Sequence, residues 1–242
     1  MNLSNIKIVL VATSHPGNIG SSARAMKTMG LNNLSLVMPK LFPDKHATEL
    51  ASGADDLLNH AQICTSLEQS LTECQLVIGT SARPRDLALP GLTPKTCADM
   101  LKYLSSNTKV AIVFGRERTG LTNEELLHCH YHLIIPSNAD YASLNLAQAV
   151  QIVAYELRMA IANQVSDTRA IPENLANYDE LAHGYAHLWH ILEHVDFLKP
   201  TNAAKVKQRI KRLFNRVLLT KQEIQMLRGI LTQIDKKIVT DE

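Results

Sequence analysis

The sequence predicts an α/β fold, in which a parallel sheet carries helices on both faces, followed by a small all-helical extension. Two observations support this class. Six short apolar segments alternate with helical segments over residues 1–162, and residues 180–242 show helical spacing only. The chain has 242 residues, of which 45% are hydrophobic, so it can bury a substantial core.

The predicted strands are short apolar runs. The first, at 6–12, is apolar almost throughout, as expected of a strand buried on both faces of a sheet. The others are predicted at 34–38, 62–65, 75–80, 109–114 and 131–135. Ligands of parallel sheets bind beyond the carboxyl ends of the strands, so the loops at 80–85, 115–121 and 136–145 should gather at one edge.

Helices are predicted between and after these strands, at 21–29, 48–58, 67–74, 122–128 and 146–160. Gly30 should end the first helix, and residues 13–20 before it are predicted to form a turn-rich loop. The start of the helix at 122 has a capping-box pattern. Ser143 or Asn145 could cap the last helix, because either side chain can accept a hydrogen bond from a free N–H of the first turn.

Composition divides the chain into a domain at 1–162, a linker at 163–179 and a helical domain at 180–242. The linker mixes Asn, Pro, Ser and charged residues without a period. Helical spacing of apolar residues predicts three helices in the last domain, at 181–198, 203–218 and 221–238.

Positive charge is concentrated in the helical domain, although the formal net charge of the chain is only +2. Residues 199–221 contain eight basic residues and no acidic one. Four of them recur at helical spacing: Lys205, Arg209, Arg212 and Arg216. The stripe could be a solvated helix face, and the alternative is a surface that binds the backbone of a nucleic acid.

Cysteine usage and hydropathy indicate a cytoplasmic protein. The four cysteines form no C-x-x-C pair and are interpreted as reduced thiols. No apolar run is long enough to span a membrane, and the N-terminus lacks the pattern of a signal peptide. His183, His187, His190 and His194 share one helix face. A solvated or ligand-facing stripe is favoured over a metal site there, and no metal is expected.

Unusual residues follow the predicted strands. Asn18, Gly20 and Arg24 come after the first strand, where Gly20 permits close backbone approach and a helix start suits an anion. An ordinary turn with a solvated arginine is the alternative. In the loop 115–121, two glycines enclose charged residues, and Glu117 could order the loop or hold Arg24. A surface turn with self-paired charges is the alternative there.

These loops together resemble the three sequence motifs of the SPOUT superfamily of RNA methyltransferases, and most closely its ribose 2′-O-methylating branch. The motifs are N-x-G-x-x-x-R from Asn18, F-G-x-E-x-x-G-L from Phe114 and S-L-N-L-A-x-A from Ser143. They occur in the right order within residues 6–160. The residues around these motifs, together with the helical extension, are similar to the sequences of enzymes that methylate cytidine or uridine at nucleotide 32 of the tRNA anticodon loop.

The resemblance implies a trefoil knot, a homodimer and S-adenosyl-L-methionine as cofactor, which leaves as S-adenosyl-L-homocysteine. The implied cofactor-binding residues are Thr80, Ser81, Ala82, Gly115, Ile135, Ala142, Ser143 and Leu144. The implied catalytic residues are Asn18, Arg24, Glu117, Ser143 and Asn145. The predicted RNA-binding residues are Arg83, Lys205, Arg209, Arg212 and Arg216.

The implied reaction needs positioning more than acid–base chemistry, because a ribose hydroxyl and a methyl group must meet in line. Arg24 could stabilise the developing alkoxide or bind a neighbouring phosphate, and Ser143 and Asn145 could orient the hydroxyl or relay its proton. Alternative functions are the same chemistry on ribosomal RNA or the tRNA wobble nucleotide, and a catalytically silent RNA-binding protein on this scaffold.

Overall fold

Seven parallel strands form one sheet among the residues that the computed structural model describes, which are 2–82, 89–162 and 174–240. The strands are β1 (Ile6–Val11), β2 (Asn33–Val37), β3 (Gln62–Cys64), β4 (Leu76–Ser81), β5 (Gly91–Leu92), β6 (Val110–Phe114) and β7 (Tyr131–Ile134). All belong to the first of two units, Met1–Ile171 and Pro172–Glu242. The predicted α/β class with a parallel sheet is confirmed.

The strand order, β3-β2-β1-β6-β4-β7-β5, decides where the loops meet. The apolar runs of β1, β4 and β6 are buried and form the centre of the core. Because β1, β6, β4 and β7 are neighbours and parallel, the segments after their carboxyl ends lie along one edge. These segments include Ala82 of the first loop that the sequence singles out and the whole of the other two, whereas residues 83–85 lie outside the described residues.

Helices flank the sheet. A 3₁₀ turn spans Leu3–Asn5, and the α-helices of this unit are α1 (Pro16–Met29), α2 (Lys45–Ala51), α3 (Asp55–Asn59), α4 (Leu67–Leu71), α5 (Pro94–Lys102), α6 (Asn123–Leu126) and α7 (Leu146–Ala162). The predicted capping box at the start of α6 is present between Thr122 and Glu125. Gly30 ends α1 with φ of 82°, as predicted.

The predicted loop at 13–20 is wrong beyond His15, because α1 begins at Pro16. Proline suits the first position of a helix, where its fixed φ is already helical and its missing N–H would have no partner. Asn18 and Gly20 therefore lie in the first two turns of a helix. Gly20 packs against α2: a Cβ built there would lie 1.9 Å from the carbonyl oxygen of Ala47. The close approach that Gly20 permits is between two helices.

Two other predictions of secondary structure need correction. The helix predicted at 48–58 is two helices, because Ser52 and Gly53 adopt positive φ and break it between α2 and α3. β5 and α5 are absent from the sequence prediction. β5 has only two residues, too few to show a period, but the start of α5 carried a readable signal in Thr93 followed by Pro94.

The second unit contains α8 (Tyr178–His194), α9 (Ala203–Asn215) and α10 (Lys221–Thr240), which agrees with the three predicted helices. Ala176, Leu181, Leu219 and Ile224 form its core. Asn177 caps α8 in a capping box with Glu180. Residues 174–179, assigned to the linker by composition, thus belong to this unit, whereas 163–173 lie outside the described residues.

His130 is buried and fastens the entrance of β7 to β4. The ring Nδ1 accepts a hydrogen bond from the N–H of Val77 at 3.1 Å, and the backbone N–H of His130 donates to the carbonyl of Val77. Burial lowers the pKa of His130 from 6.5 to about 4, against the smaller effect of its hydrogen bond to Val77. The ring is therefore neutral in the folded protein at pH 7.

Acidification is expected to destabilise the protein through His130. Between about pH 6.5 and pH 4 the unfolded chain binds a proton that the folded chain excludes, so the free energy of unfolding should fall with decreasing pH. The full effect is about 3 kcal/mol. Urea unfolding of the wild type and His130→Asn at pH 7.5 and 5 measures it. The asparagine variant should have a lower free energy of unfolding at pH 7.5, but this free energy should fall less between pH 7.5 and pH 5 than that of the wild type. An equal fall in both proteins would contradict the prediction.

No helix among the described residues is long and apolar enough to cross a membrane. The four cysteines are buried, and no disulfide bond joins them among the described residues. Burial raises the pKa of Cys74 to about 11 and that of Cys97 to about 12, so neither supplies a thiolate at neutral pH.

Candidate active site

A hydrogen-bonded network joins three of the loops at the carboxyl edge of the sheet. Asn145, before α7, donates from Nδ2 to Oδ1 of Asn18 on α1 at 2.9 Å. Asn18 donates from Nδ2 to Oε1 of Glu117, in the loop after β6, at 3.0 Å. Amide groups thus link segments that follow β1, β6 and β7, and three of the five predicted catalytic residues are brought together.

Glu117 holds the start of α1. Its carboxylate accepts hydrogen bonds from the backbone N–H groups of Ser14 and His15, at 3.1 and 3.2 Å, in addition to the bond from Asn18. Burial opposes the charge of this carboxylate, but the bonds from Asn18, Ser14 and His15 outweigh it and lower the pKa of Glu117 below its usual value. Of the two roles considered from the sequence, ordering the loop is the one the geometry shows.

Arg24 lies apart from this network. It follows Asn18 by six residues on α1, which places it about 120° away around the helix axis. Its side chain is exposed, and its backbone carbonyl accepts a hydrogen bond from the Thr28 hydroxyl. The guanidinium is therefore open to solvent and can meet a ligand that approaches α1 from outside.

The loop 115–121 is a tight turn rather than an open one. Arg116 and Gly120 exchange backbone hydrogen bonds, and Gly120 has φ of 67°. A Cβ built on Gly115 would lie 2.2 Å from the backbone of Gly120 and Leu121, so glycine at 115 is needed for the turn itself. Arg116 forms a bidentate ion pair with Glu125, at 2.9 and 3.0 Å. The turn is thereby fixed to the start of α6.

Asn145 caps the start of α7. Of the two candidates that the sequence offers, Ser143 and Asn145, the structure thus selects Asn145. Its Oδ1 accepts a hydrogen bond from the N–H of Ala147 at 2.8 Å, while its Nδ2 reaches Asn18. Ser143, two residues earlier, is exposed. The apolar residues Val150, Val153 and Leu157 of α7 are at most 1% exposed and belong to the core of this unit.

The predicted cofactor residues lie at the ends of neighbouring strands. Thr80 donates its hydroxyl to the carbonyl of Val113 at 3.0 Å, and the Ser81 hydroxyl lies 2.6 Å from Nε2 of His132. Both hydroxyls are therefore engaged within the sheet. Side-chain exposure differs across the rest of the set: Gly115 is buried, Ile135, Ala142 and Leu144 are half-buried, and Ala82 and Ser143 are exposed.

This arrangement fits a nucleoside-containing cofactor. An adenine ring needs apolar contacts on its faces and backbone donors and acceptors at its edge. The half-buried Ile135, Ala142 and Leu144 supply apolar contacts, and the loops after β4, β6 and β7 bring backbone groups to the same edge. The residues present are compatible with the cofactor that the resemblance implies.

His132 was not predicted as a site residue. It is 6% exposed on β7, and its ring orients the Ser81 hydroxyl at the mouth of the candidate cofactor site. The parallel pairing of β4 and β7 places the two side chains on one face of the sheet. A polar ring inside an apolar strand was the available signal, but the sequence does not show which strand lies beside it.

The predicted RNA-binding residues differ in how they are placed. Arg83 lies outside the described residues. On α9 and just after it, Lys205, Arg209 and Arg216 are exposed, and Arg212 is half-buried. Other lysines of this unit are paired: Lys207 with Glu193 at 2.7 Å and Lys221 with Glu180 at 3.2 Å. Three of the four cations of the predicted stripe, Lys205, Arg209 and Arg216, are thus exposed to solvent.

The histidines of α8 are accessible. His183, His190 and His194 are exposed and His187 is half-buried, and His190 lies 3.8 Å from Asp235. Within the part of the chain that the structure describes, no group of three or more His, Cys, Asp or Glu residues is placed to hold a metal ion.

Comparison with known families agrees with this division into units. Residues 5–155 match the SpoU rRNA Methylase family, and residues 179–242 match the family described as tRNA methyltransferase TrmJ, C-terminal domain. Proteins named tRNA (cytidine/uridine-2′-O-)-methyltransferase TrmJ are similar over nearly their whole length. The protein from Photorhabdus laumondii is 48% identical over 97% of this chain and 98% of its own, and that from Cronobacter sakazakii is 50% identical over 96% and 97%.

Solved structures show the same fold. TrmJ from Z. mobilis ZM4 is 32% identical with a TM-score of 0.84, over 95% of this chain and 98% of that one. A probable methylase family protein from Haemophilus influenzae is 46% identical with a TM-score of 0.65, over the whole of both chains. The chain therefore belongs to the SpoU methylase family and, within it, to the TrmJ group of tRNA methyltransferases.

Proposed function

We propose that this protein transfers the methyl group of S-adenosyl-L-methionine to the ribose 2′-hydroxyl of cytidine or uridine at nucleotide 32 of the tRNA anticodon loop. The observation that carries the proposal is the Glu117–Asn18–Asn145 network, which joins the three motif-bearing segments at one edge of the sheet. The names of the TrmJ relatives support the tRNA substrate and the 2′-O position. The choice of nucleotide 32 rests on the resemblance of the motifs.

The residues proposed to hold the cofactor are Thr80, Ser81, Ala82, Gly115, Ile135, Ala142, Ser143 and Leu144. When bound, S-adenosyl-L-methionine supplies an electrophilic methyl group. The loops after β4, β6 and β7 would hold it through backbone groups and exclude water from the hydroxyl's approach. We also propose that these loops form the trefoil knot of the superfamily, with support from the placement of β6 between β1 and β4.

The proposed catalytic residues divide into three roles. Arg24 stabilises the alkoxide that develops on the ribose oxygen, because a guanidinium keeps its charge and offers several donors. Ser143 and Asn145 orient the hydroxyl. Asn18 and Glu117 contact one another and the start of α1, so we assign them to positioning Asn145 rather than to contact with the substrate.

We propose a homodimer in which Arg24 of one protomer serves a site that it shares with the partner. The support is the location of Arg24, exposed and on another face of α1 from Asn18. Tyr155, a large side chain that is 48% exposed on α7, is a further candidate for contact between protomers. A tRNA substrate and reduced cysteines are consistent with a cytoplasmic enzyme.

Labelled methyl transfer from S-adenosyl-L-methionine tests the function. An anticodon stem-loop with ribose at nucleotide 32 should be labelled, and the same stem-loop with 2′-deoxyribose at that nucleotide should not. A stem-loop with 2′-deoxyribose at nucleotide 34 is the control and should be labelled normally. Equal labelling with and without the 2′-hydroxyl at nucleotide 32 would refute the proposal.

Ribosomal RNA is the second candidate substrate, because the family that matches residues 5–155 is described as an rRNA methylase family. The same assay with ribosomal RNA fragments separates the two substrates. Label in those fragments, and none in the stem-loop, would favour the second candidate.

We propose that the exposed cations of α9 bind the tRNA backbone. Lys205→Gln with Arg209→Gln removes two charges that face solvent, so tRNA affinity should fall. The slope of log affinity against log salt concentration should decrease by about 2, roughly one unit for each lost phosphate contact. The control, Lys236→Gln with Lys237→Gln, removes the same charge from α10 and should change the slope little. Equal slopes in both double variants would contradict the assignment to α9.

A further inference from the structure

The proposed reaction, on which this inference rests, requires a group that accepts the proton of the ribose hydroxyl. Arg24 is unsuited, because a guanidinium stays protonated in proteins. Glu117 is also unsuited: its carboxylate already accepts hydrogen bonds from Ser14, His15 and Asn18, and its pKa is lowered. Amides and a serine hydroxyl are too weakly basic for this role at neutral pH.

His15 is placed beside this network with an exposed side chain. Its backbone N–H donates to Oε1 of Glu117, the same oxygen that accepts the bond from Asn18. Its carbonyl accepts the N–H of Asn18 at 3.0 Å. The backbone of His15 is thereby fixed to Glu117 on one side and on the other to Asn18, which accepts the hydrogen bond from Asn145. Although His15 is the cap position of α1, its side chain makes no capping hydrogen bond.

We propose that the imidazole of His15 is the general base that removes the proton from the ribose 2′-hydroxyl. Imidazole is the side chain whose protonation changes near neutral pH, so it can accept a proton and return it to solvent in each cycle. The O–H bond of the ribose breaks as its electron pair forms the new oxygen–methyl bond. The methyl–sulfur bond breaks, and its electron pair stays on sulfur. The proton moves to the imidazole nitrogen and then to water.

The other histidines and the nearby carboxylate are less suited. His130 is buried against β4, and His132 is 6% exposed and bonded to Ser81, so an RNA hydroxyl cannot reach either ring. His46, on α2, packs beside Gly17, where a built Cβ would lie 2.8 Å from its Nε2. Asp140 is exposed in the loop before α7, but a carboxylate is a much weaker base than imidazole.

The charged and titratable groups around His15 come from three segments. Glu117 faces its backbone from the loop after β6. His46 lies on α2, where it is 3.7 Å from Glu49. Lys40 follows β2 and donates its backbone N–H to the carbonyl of Thr13. A pH profile must therefore compare variants at His15 with a variant at His46, the other imidazole near the start of α1.

The experiment measures methyl transfer to the anticodon stem-loop as a function of pH at saturating cofactor. His15→Ala should lower kcat by roughly 10²-fold or more and remove the loss of rate that the wild type shows on acidification. Added imidazole should restore part of the rate of His15→Ala. The controls, His46→Gln and Asp140→Asn, should keep the wild-type profile. Thermal unfolding and binding of S-adenosyl-L-homocysteine should be unchanged in His15→Ala.

Three outcomes would overturn the proposal: normal turnover in His15→Ala, an acid limb that persists in this variant, or a loss of rate that imidazole does not restore. His15→Gln, which cannot act as a base, provides a second variant if the alanine protein is unstable. Failure of the proposed function is distinguishable, because the wild type itself would then leave the stem-loop unmethylated.

Discussion

Replacement of Arg24 by alanine is expected to lower kcat by roughly 10²- to 10³-fold, the loss typical of removing one group that stabilises a developing oxyanion. The affinity for S-adenosyl-L-homocysteine should change by no more than about twofold, because Arg24 is assigned to stabilising the developing alkoxide and not to binding the cofactor. The side chain is exposed on α1, so its removal should leave the fold intact. Single-turnover methyl transfer and calorimetric binding of S-adenosyl-L-homocysteine measure the two quantities.

Lys27 provides a matched control on the same helix. It pairs with Asp56 at 2.7 Å and donates to the carbonyl of Gly53, away from the network of Asn18 and Glu117. Lys27→Ala removes the same charge as Arg24→Ala and should keep nearly normal turnover. If cofactor affinity collapses in Arg24→Ala, or if both variants lose the same activity, the role assigned to Arg24 is wrong.

Gly20→Ala is expected to lower the free energy of unfolding by about 2–3 kcal/mol, the upper part of the usual cost of overpacking. The added methyl group would lie 1.9 Å from the carbonyl oxygen of Ala47, and backbone on both helices must shift to accept it. Because Asn18 lies two residues earlier in α1, the shift should also disturb its bonds to Glu117 and Asn145. Urea unfolding and kcat measure the two effects.

Gly91→Ala is the matched control. Gly91 lies in β5 of the same unit, has an ordinary φ, and no heavy atom lies within 4 Å of the Cβ that alanine would add. The free energy of unfolding of Gly91→Ala should differ from that of the wild type by no more than about 0.5 kcal/mol, as for most surface substitutions that disturb no contact. A stable Gly20→Ala protein with normal turnover would show that α1 and α2 separate easily.

The sequence predicted the sheet where local pattern and final environment agree. Continuous apolar runs such as 6–12 and 109–114 read correctly as strands buried on both faces, and β1 and β6 have that burial. The predicted helix boundaries were wrong where one or two residues change the backbone conformation. Pro16 started α1 five residues before its apolar positions become periodic, and Ser52 and Gly53 divided a helix that composition favours as one.

The sequence predicted which residues belong to the candidate site but not which of them contact one another. Motifs identified Asn18, Glu117 and Asn145, yet their hydrogen bonds depend on the strand order, which no local pattern contains. For the same reason the sequence left two roles open for Glu117 and two caps for α7. Gly20 and Gly115 both lie against protein backbone, at Ala47 and at Gly120. Their neighbours in space were not visible in the chain.

The proposed site contains the Glu117–Asn18–Asn145 network, so it can be complete only late in the synthesis of the chain. Asn18 and Glu117 are 99 residues apart in the chain, and Asn18 and Asn145 are 127 apart. Contacts of such separation form late, since the entropy of the intervening chain must be lost first. A nascent chain that has completed β1 and β6 still lacks Asn145. Methyl transfer should therefore appear only when α7 has docked, and chains that end before Asn145 should not methylate RNA.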